Sequence, residues 1–275
     1  MFKGKVSKVL VFGLACMAVV AMLALSACGG GSSQSSSSSS SSAADGEYKL
    51  VTPGTLTVAT SPDYAPMEYQ ENGEIKGYDI ALIKEIAKHL GLNADIQNQA
   101  FDSLVTQVAG GKTFDCAISS ITISDERAEQ VAFTDAYYDS NLAIVVLKDS
   151  DVTSRDALNG QSIGAQSGSS GEDWAKENLK DSAYTPFQET PDMLAALRTG
   201  KIKAVIYDEP AAAYNIAHEY DDCTILEVIP TGEQYGIIVN TDNVALAEAI
   251  NNALAEMQAD GTIAKLQEEC FGAAK

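Results

Sequence analysis

The 275-residue chain is poor in the residues that most often carry catalysis and metal chemistry. It has two histidines, five cysteines and one tryptophan. Two histidines and no Cys-x-x-Cys spacing leave little material for a zinc site, and no metal or cofactor is expected. Positive charge is also scarce. Eighteen Lys and Arg face 38 Asp and Glu, for a net charge of -20. Such a surface repels phosphates and anionic head groups, so nucleic acid is excluded as a partner. Hydrophobic residues make up 45% and charged residues 20%. That balance suits a globular protein of one large or two small domains.

The N-terminus reads as an address. Residues 1–8 carry Lys3, Lys5 and Lys8, Val9 to Leu25 is almost wholly apolar, and Leu25-Ser26-Ala27-Cys28 follows. A basic start, an apolar stretch and small residues at a cut site describe a secretory signal over residues 1–27. A transmembrane anchor is the competing reading of the apolar run. The run Leu25 to Cys28 resembles the bacterial lipobox, which implies lipidation at Cys28, with palmitate among the acyl groups, and attachment to the membrane through that lipid alone. Gly29 to Ala44 is almost entirely Gly and Ser. Residues 28–52 are therefore expected to form a lipidated tether. Cys116, Cys223 and Cys270 then remain. An odd number outside the cytoplasm predicts at least one unpaired thiol, and Cys116, in the apolar run Cys116-Ala117-Ile118, is the candidate for an inert core position.

The rest alternates strands and helices, which predicts an α/β fold with mixed, mostly parallel sheets. Strands are expected at Leu56–Thr60, Leu92–Ile96, Phe114–Ile118, Ile163–Ala165 and Ala204–Tyr207. Helices are expected from Asp79 to Leu90, after Asp102, from Ser169 or Ser170 to Leu179, from Thr190-Pro191 towards Gly200, from Glu209, and across Leu246 to Leu266 with a turn at Asp260-Gly261. Asp79 and Asp102 are read as helix caps. Polar clusters fall at the carboxyl ends of three of these strands: Ser119-Ser120, Ser167 to Ser170, and Asp208. Ligands of open α/β sheets bind there.

Two catalytic motifs fail inspection. Gly160-Gln161-Ser162-Ile163-Gly164 fits G-x-S-x-G, but its serine begins a strand instead of standing at a strand-to-helix turn. Gly111-Lys112-Thr113 looks like the end of a phosphate loop, yet Thr106 occupies the position of the first glycine.

Read together, the motifs identify a family. Ser61-Pro62-Asp63-Tyr64-Ala65-Pro66-Met67-Glu68 is followed by Gly77-Tyr78-Asp79-Ile80, Phe101-Asp102-Ser103-Leu104, Ser119 to Arg127, and Phe133-Thr134-Asp135-Ala136-Tyr137-Tyr138. Gln166 to Ser170, Tyr207-Asp208-Glu209 and Gln234-Tyr235-Gly236-Ile237 come later. From about Gly54 to Gly272 this order resembles the extracellular solute-binding proteins of bacterial ABC importers for polar amino acids, family 3. The resemblance implies a non-enzymatic, monomeric receptor with a periplasmic-binding-protein-like fold. It would work with a membrane permease and an ATPase. Lobe 1 would hold residues 53–139 and 241–275, and lobe 2 residues 140–240. Hinge strands would lie near Ser140–Ala143 and Gly236–Asn240.

Site roles follow from the same resemblance. Arg127 would grip the ligand α-carboxylate, for which a planar fork of donors is suited. Asp208 would receive the α-ammonium, and Thr122, Ser120 and Ser170 would complete the head-group contacts. Tyr64 and Phe101 would flank the ligand side chain, with Ser61, Ser119 and Gln166 selecting it. Local sequence allows plainer roles: Arg127 in a surface ion pair, Asp208 and Ser170 as helix caps, and Tyr64 or Phe101 in the core. A serine at position 61 cannot neutralise a buried ammonium, which disfavours lysine. Asp63 and Glu68 could compensate and keep arginine open, while a neutral ligand such as glutamine is favoured. The alternatives are an enzyme resembling cyclohexadienyl dehydratases on the same scaffold, and an amino-acid sensor acting with a separate membrane protein.

Overall fold

The structure is a computed structural model and describes residues 48–272. The expected signal, Cys28 and most of the tether lie outside the described residues. In chain order the strands are β1 (Thr55–Thr60), β2 (Asp63–Tyr64), β3 (Glu68–Glu71), β4 (Glu74–Lys76), β5 (Asn93–Asn98), β6 (Cys116–Ala117), β7 (Ala132–Phe133), β8 (Tyr138–Leu147), β9 (Ser162–Gln166), β10 (Ala183–Phe187), β11 (Ala204–Asp208), β12 (Cys223–Tyr235) and β13 (Ile238–Val239). The helices are α1 (Tyr78–His89), α2 (Leu104–Ala109), α3 (Asp125–Ala128), α4 (Ser170–Asn178), α5 (Thr190–Arg198), α6 (Glu209–His218), α7 (Val244–Ala259) and α8 (Thr262–Phe271).

Two five-stranded sheets organise the chain, in the orders β5-β1-β6-β13-β7 and β10-β9-β11-β8-β12, with β2-β3-β4 as a small third sheet. In the first, β1 pairs in parallel with β5 and β6, and β13 runs antiparallel to β6 and β7. In the second, β9, β10 and β11 are parallel, while β8 is antiparallel to β11 and β12. β1 is buried from Leu56 to Thr60 because neighbours flank both edges and helices cover the sheet. That is why both its apolar residues and Thr57 and Thr60 are buried. Only residues 134–137 and 236–237 join the two sheets covalently. At this crossing Tyr138 and Tyr235 stack, with ring centroids 5.8 Å apart. After the return crossing, Ile238–Val239 pair with β6 and β7 of the first sheet.

Helix ends show where local signals suffice. Ser169 caps α4 by accepting from the Glu172 backbone N–H at 3.1 Å, and the Glu172 carboxylate accepts from the Gly168 N–H at 2.6 Å. This is a capping box displaced by one residue at its return bond. Pro191 sits in the first turn of α5. Two expected caps differ. α1 begins after Gly77, and Asp79 lies inside its first turn, fully buried, accepting from the Ser120 backbone N–H at 2.8 Å and the Tyr137 hydroxyl at 2.8 Å. A loop 41 residues away outcompetes the helix's own N–H groups for this carboxylate. Asp102 lies in a 3-10 turn, Phe101–Ser103, that leads into α2, and it makes no cap bond. The strand expected at Phe114–Ile118 is regular only at Cys116–Ala117, although Asp115 and Ile118 also bond to the backbone of β1.

Gly77 is obligatory. Its φ is +117°, and a Cβ there would stand 2.1 Å from the Met67 carbonyl oxygen. Cys116, Cys223 and Cys270 are all free; the first two are buried, and burial pushes the Cys116 thiol well up. Both histidines end helices, where each ring contacts the carbonyl four residues back. Among the described residues no helix is long and apolar enough to cross a membrane.

Candidate binding site

The polar strand ends converge. The segments after β1 and β6 meet those after β9 and β11. Tyr64, Phe101, Ser119, Ser120, Thr122, Gln166, Ser170 and Asp208 line one cavity, together with Glu68, Ser169 and Tyr207. It encloses about 20 Å³, so the walls nearly touch. Ser61 lies beside it and borders a larger cavity of about 480 Å³ that also contains Asp63, Glu189 and Glu219. Arg127 lies behind Thr122 instead of in the lining.

Asp208 ends β11 and begins the turn into α6. Its carboxylate accepts from the Tyr64 hydroxyl and from Ser140 Oγ at 3.1 Å, and Tyr235 donates in turn to Ser140 at 3.0 Å. Burial holds the Asp208 carboxyl above its usual range against the opposing pull of these bonds. Hydroxyls alone do not neutralise a buried carboxylate, so this one favours a cationic partner.

At the other end lies a pair of acids. Glu68, at the start of β3, is 1% exposed and accepts from Ser119 Oγ at 2.9 Å and Ser120 Oγ at 3.2 Å. Asp79 adjoins it, and burial pushes both carboxyls up, so near neutrality the pair holds on to a proton. Ser120 takes φ +49°, an uncommon value outside glycine. That turn aims its N–H at Asp79 and its hydroxyl at Glu68.

Arg127, on α3, donates to the Thr122 carbonyl at 2.7 Å and to the Gly168 carbonyl at 2.8 Å, with its guanidinium 5.8 Å from the Phe101 ring centroid. Gly168 comes from the second sheet's side, and a Cβ there would lie 3.1 Å from Asp102 Cα. The walls also meet where Asp63 accepts from Gln166 Nε2 and from the Thr190 N–H, both at 3.0 Å. Burial raises the Asp63 carboxyl to about 6.

From the sequence Glu68 has only a compensating role, and Ser169 and Tyr207 belong to the motifs without a role of their own at the site. Glu68 could have been found from a charge set between Met67 and Tyr69. Tyr207 gives no such signal, since it ends an apolar strand. Among the described residues no group of three or more His, Cys, Asp or Glu side chains could hold a metal ion.

Comparison with known proteins identifies relatives of the chain. The chain is 30% identical over 223 residues to the L-cystine-binding protein TcyJ of Escherichia coli K12, covering 80% of this chain and 84% of that one. It is 31% identical to the arginine-binding extracellular protein ArtP of Bacillus subtilis 168, covering 78% and 86%. Among solved structures, an ancestral arginine-binding protein bound to arginine superposes with a TM-score of 0.75 at 37% identity, over 80% of this chain and 99% of that one. A mutant of ArgBP from T. maritima gives 0.76 at 35%, over 79% and 95%. All four are binding proteins, not enzymes. Residues 56–273 match one family throughout, and the chain belongs to the bacterial extracellular solute-binding proteins, family 3.

Proposed function

We propose that the chain is the lipid-anchored receptor of an ABC importer, taking up a free α-amino acid with a cationic side chain, arginine above all. The observation that carries this is one cavity lined by two buried carboxylates, Asp208 and Glu68, neither bonded to a cation among the described residues. Arginine supplies both positive groups. Its α-ammonium would meet Asp208, and its guanidinium would meet Glu68 and the adjoining Asp79, passing Tyr64 and Phe101. Its α-carboxylate would meet Thr122 and Ser170, where the N–H groups at the start of α4 and the charge of Arg127 favour an anion. Arginine-binding relatives support the reading.

Glu68 thus moves the preference from the neutral ligand favoured by Ser61 towards a cationic one. Glutamine is the second reading. A Glu68–Asp79 pair that holds a proton can both donate to and accept from an amide, and an ancestral arginine-binding protein has been solved with glutamine. The walls nearly touch, so a ligand enters only when they part. The crossings at 134–137 and 236–237 would serve as the hinge between lobe 1 and lobe 2. Contacts on both walls would then favour the closed state.

Calorimetric titration with the twenty amino acids, followed by chromatography of the recovered ligand, tests the reading. Arginine should bind most tightly and return unmodified. An altered product would indicate an enzyme, and absence of any amino-acid binding would overturn the proposal. Anchoring at Cys28 rests on the sequence Leu25 to Cys28. Palmitate labelling that persists in Cys28→Ser would exclude it.

A further inference from the structure

Glu233 lies on β12 opposite Ser140, just past the irregularity between Ile229 and Glu233. Its Oε2 accepts from Ser170 Oγ at 2.9 Å and from Thr122 Oγ1 at 3.2 Å. Thr122 follows β6 of the first sheet, and Ser170 is the first residue of α4 on the second, so one carboxylate oxygen joins the two walls. Arg127 and Glu233 also attract one another across this corner.

These hydroxyls, the start of α4 and the nearby guanidinium are the groups that the proposed function gives to the ligand's α-carboxylate. Each hydroxyl has a single proton to donate. While both donate to Glu233, neither can donate to a ligand. A second carboxylate in the same corner would also meet like charge.

We infer that Glu233 is a built-in carboxylate that competes with the ligand's own α-carboxylate for Thr122 and Ser170, and so sets the affinity of the cleft. This rests on the amino-acid reading above. The side chain has a way out, since Pro230, Thr231 and Gly232 beside it are exposed and break the strand register. Displacing Glu233 then costs part of what the ligand gains, and the receptor binds less tightly than its donors allow.

The test is Glu233→Gln, which keeps the shape and removes the charge, with circular dichroism to confirm folding. Glu233→Asp, too short to reach both hydroxyls, provides a second variant. Arginine should bind Glu233→Gln roughly tenfold more tightly than the parent, in line with about 1.4 kcal/mol per decade. Agmatine, which keeps the guanidinium and lacks the carboxylate, should gain little. The melting midpoint without added ligand should fall slightly, because the wall-to-wall bonds lose their charge and weaken. A merely structural role would lower both stability and arginine affinity. Weaker or unchanged arginine binding, or an equal gain for agmatine, would overturn the inference while leaving the receptor reading intact. Failure of the parent to bind any amino acid would instead remove the reading beneath it.

Discussion

The two walls of the cavity are built from different chemistry. The first-sheet wall gathers acids: Glu68 and Asp79 are buried side by side, partnered by Ser119, Ser120, Tyr137 and a backbone N–H. The second-sheet wall contributes Gln166, Ser169, Ser170 and the start of α4, with Asp208 as its single acid in the lining. On the proposed function, one wall would meet a ligand's cationic side chain. The other offers a counter-charge to an ammonium and donors to a carboxylate. An amino acid lying across both would bind only when they close, because neither wall alone satisfies a zwitterion with a charged side chain.

The sharpest way to break this division is to remove the head-group partners. Asp208→Ala should weaken arginine binding by roughly 30-fold to several thousand-fold, since deleting one partner of a buried charge costs about 2–5 kcal/mol. Arg127→Ala should weaken it less, because Arg127 donates to the Thr122 and Gly168 carbonyls from outside the lining. Trp174, on α4, provides a fluorescence signal for the titration. Folded variants with parental affinity would show that these residues do not hold the head group.

A smaller effect tests the side-chain wall. Glu68→Gln removes a charge but keeps the size. Arginine affinity should fall by roughly 10- to 100-fold, as expected for a hydrogen bond to a charged group worth about 1.5–3 kcal/mol. Glutamine affinity should change much less. Competitive titration of the two ligands gives the ratio, and an unchanged ratio would place the ligand side chain away from Glu68.

The smallest effect concerns pH. Burial raises Asp63 to about 6 and lifts Glu68 and Asp79 as well. Between the unfolded carboxyl range and these higher values, the folded protein binds protons that the unfolded chain has released. Stability therefore falls as pH rises through that window. The melting midpoint should be a few degrees higher at pH 5 than at pH 8, on the usual scale of about 2–4 °C per kcal/mol for a chain of this size. Glu68→Gln should narrow the difference. A higher midpoint at pH 8 would mean that the acids on the first wall are not held protonated.

Much of this was legible in the sequence, for specific reasons. β9 and β11 are central strands, marked by the short runs Ile163–Ala165 and Ala204–Tyr207. α4 and α5 carry a Ser-x-x-Glu box and a first-turn proline. Eight of the ten expected site residues line the cavity because strand ends converge in an open α/β fold. Less legible were the positions decided by long-range partners. Asp79 has the sequence of a cap but bonds to Ser120 and Tyr137. Arg127 reads as a ligand's clamp, yet it holds two backbone carbonyls, one from each wall.

By itself the sequence determined the α/β alternation, the family and the polar strand ends that line one cavity. These depend on periodicity, turn chemistry and local order along the chain. Only the tertiary structure decided which charges meet. Glu68 and Asp79 form a pair, and Glu233 comes to stand between Thr122 and Ser170, because segments 11 to 111 residues apart fold against one another. Hydrogen bonds and burial act through space, and no spacing rule along the chain encodes them.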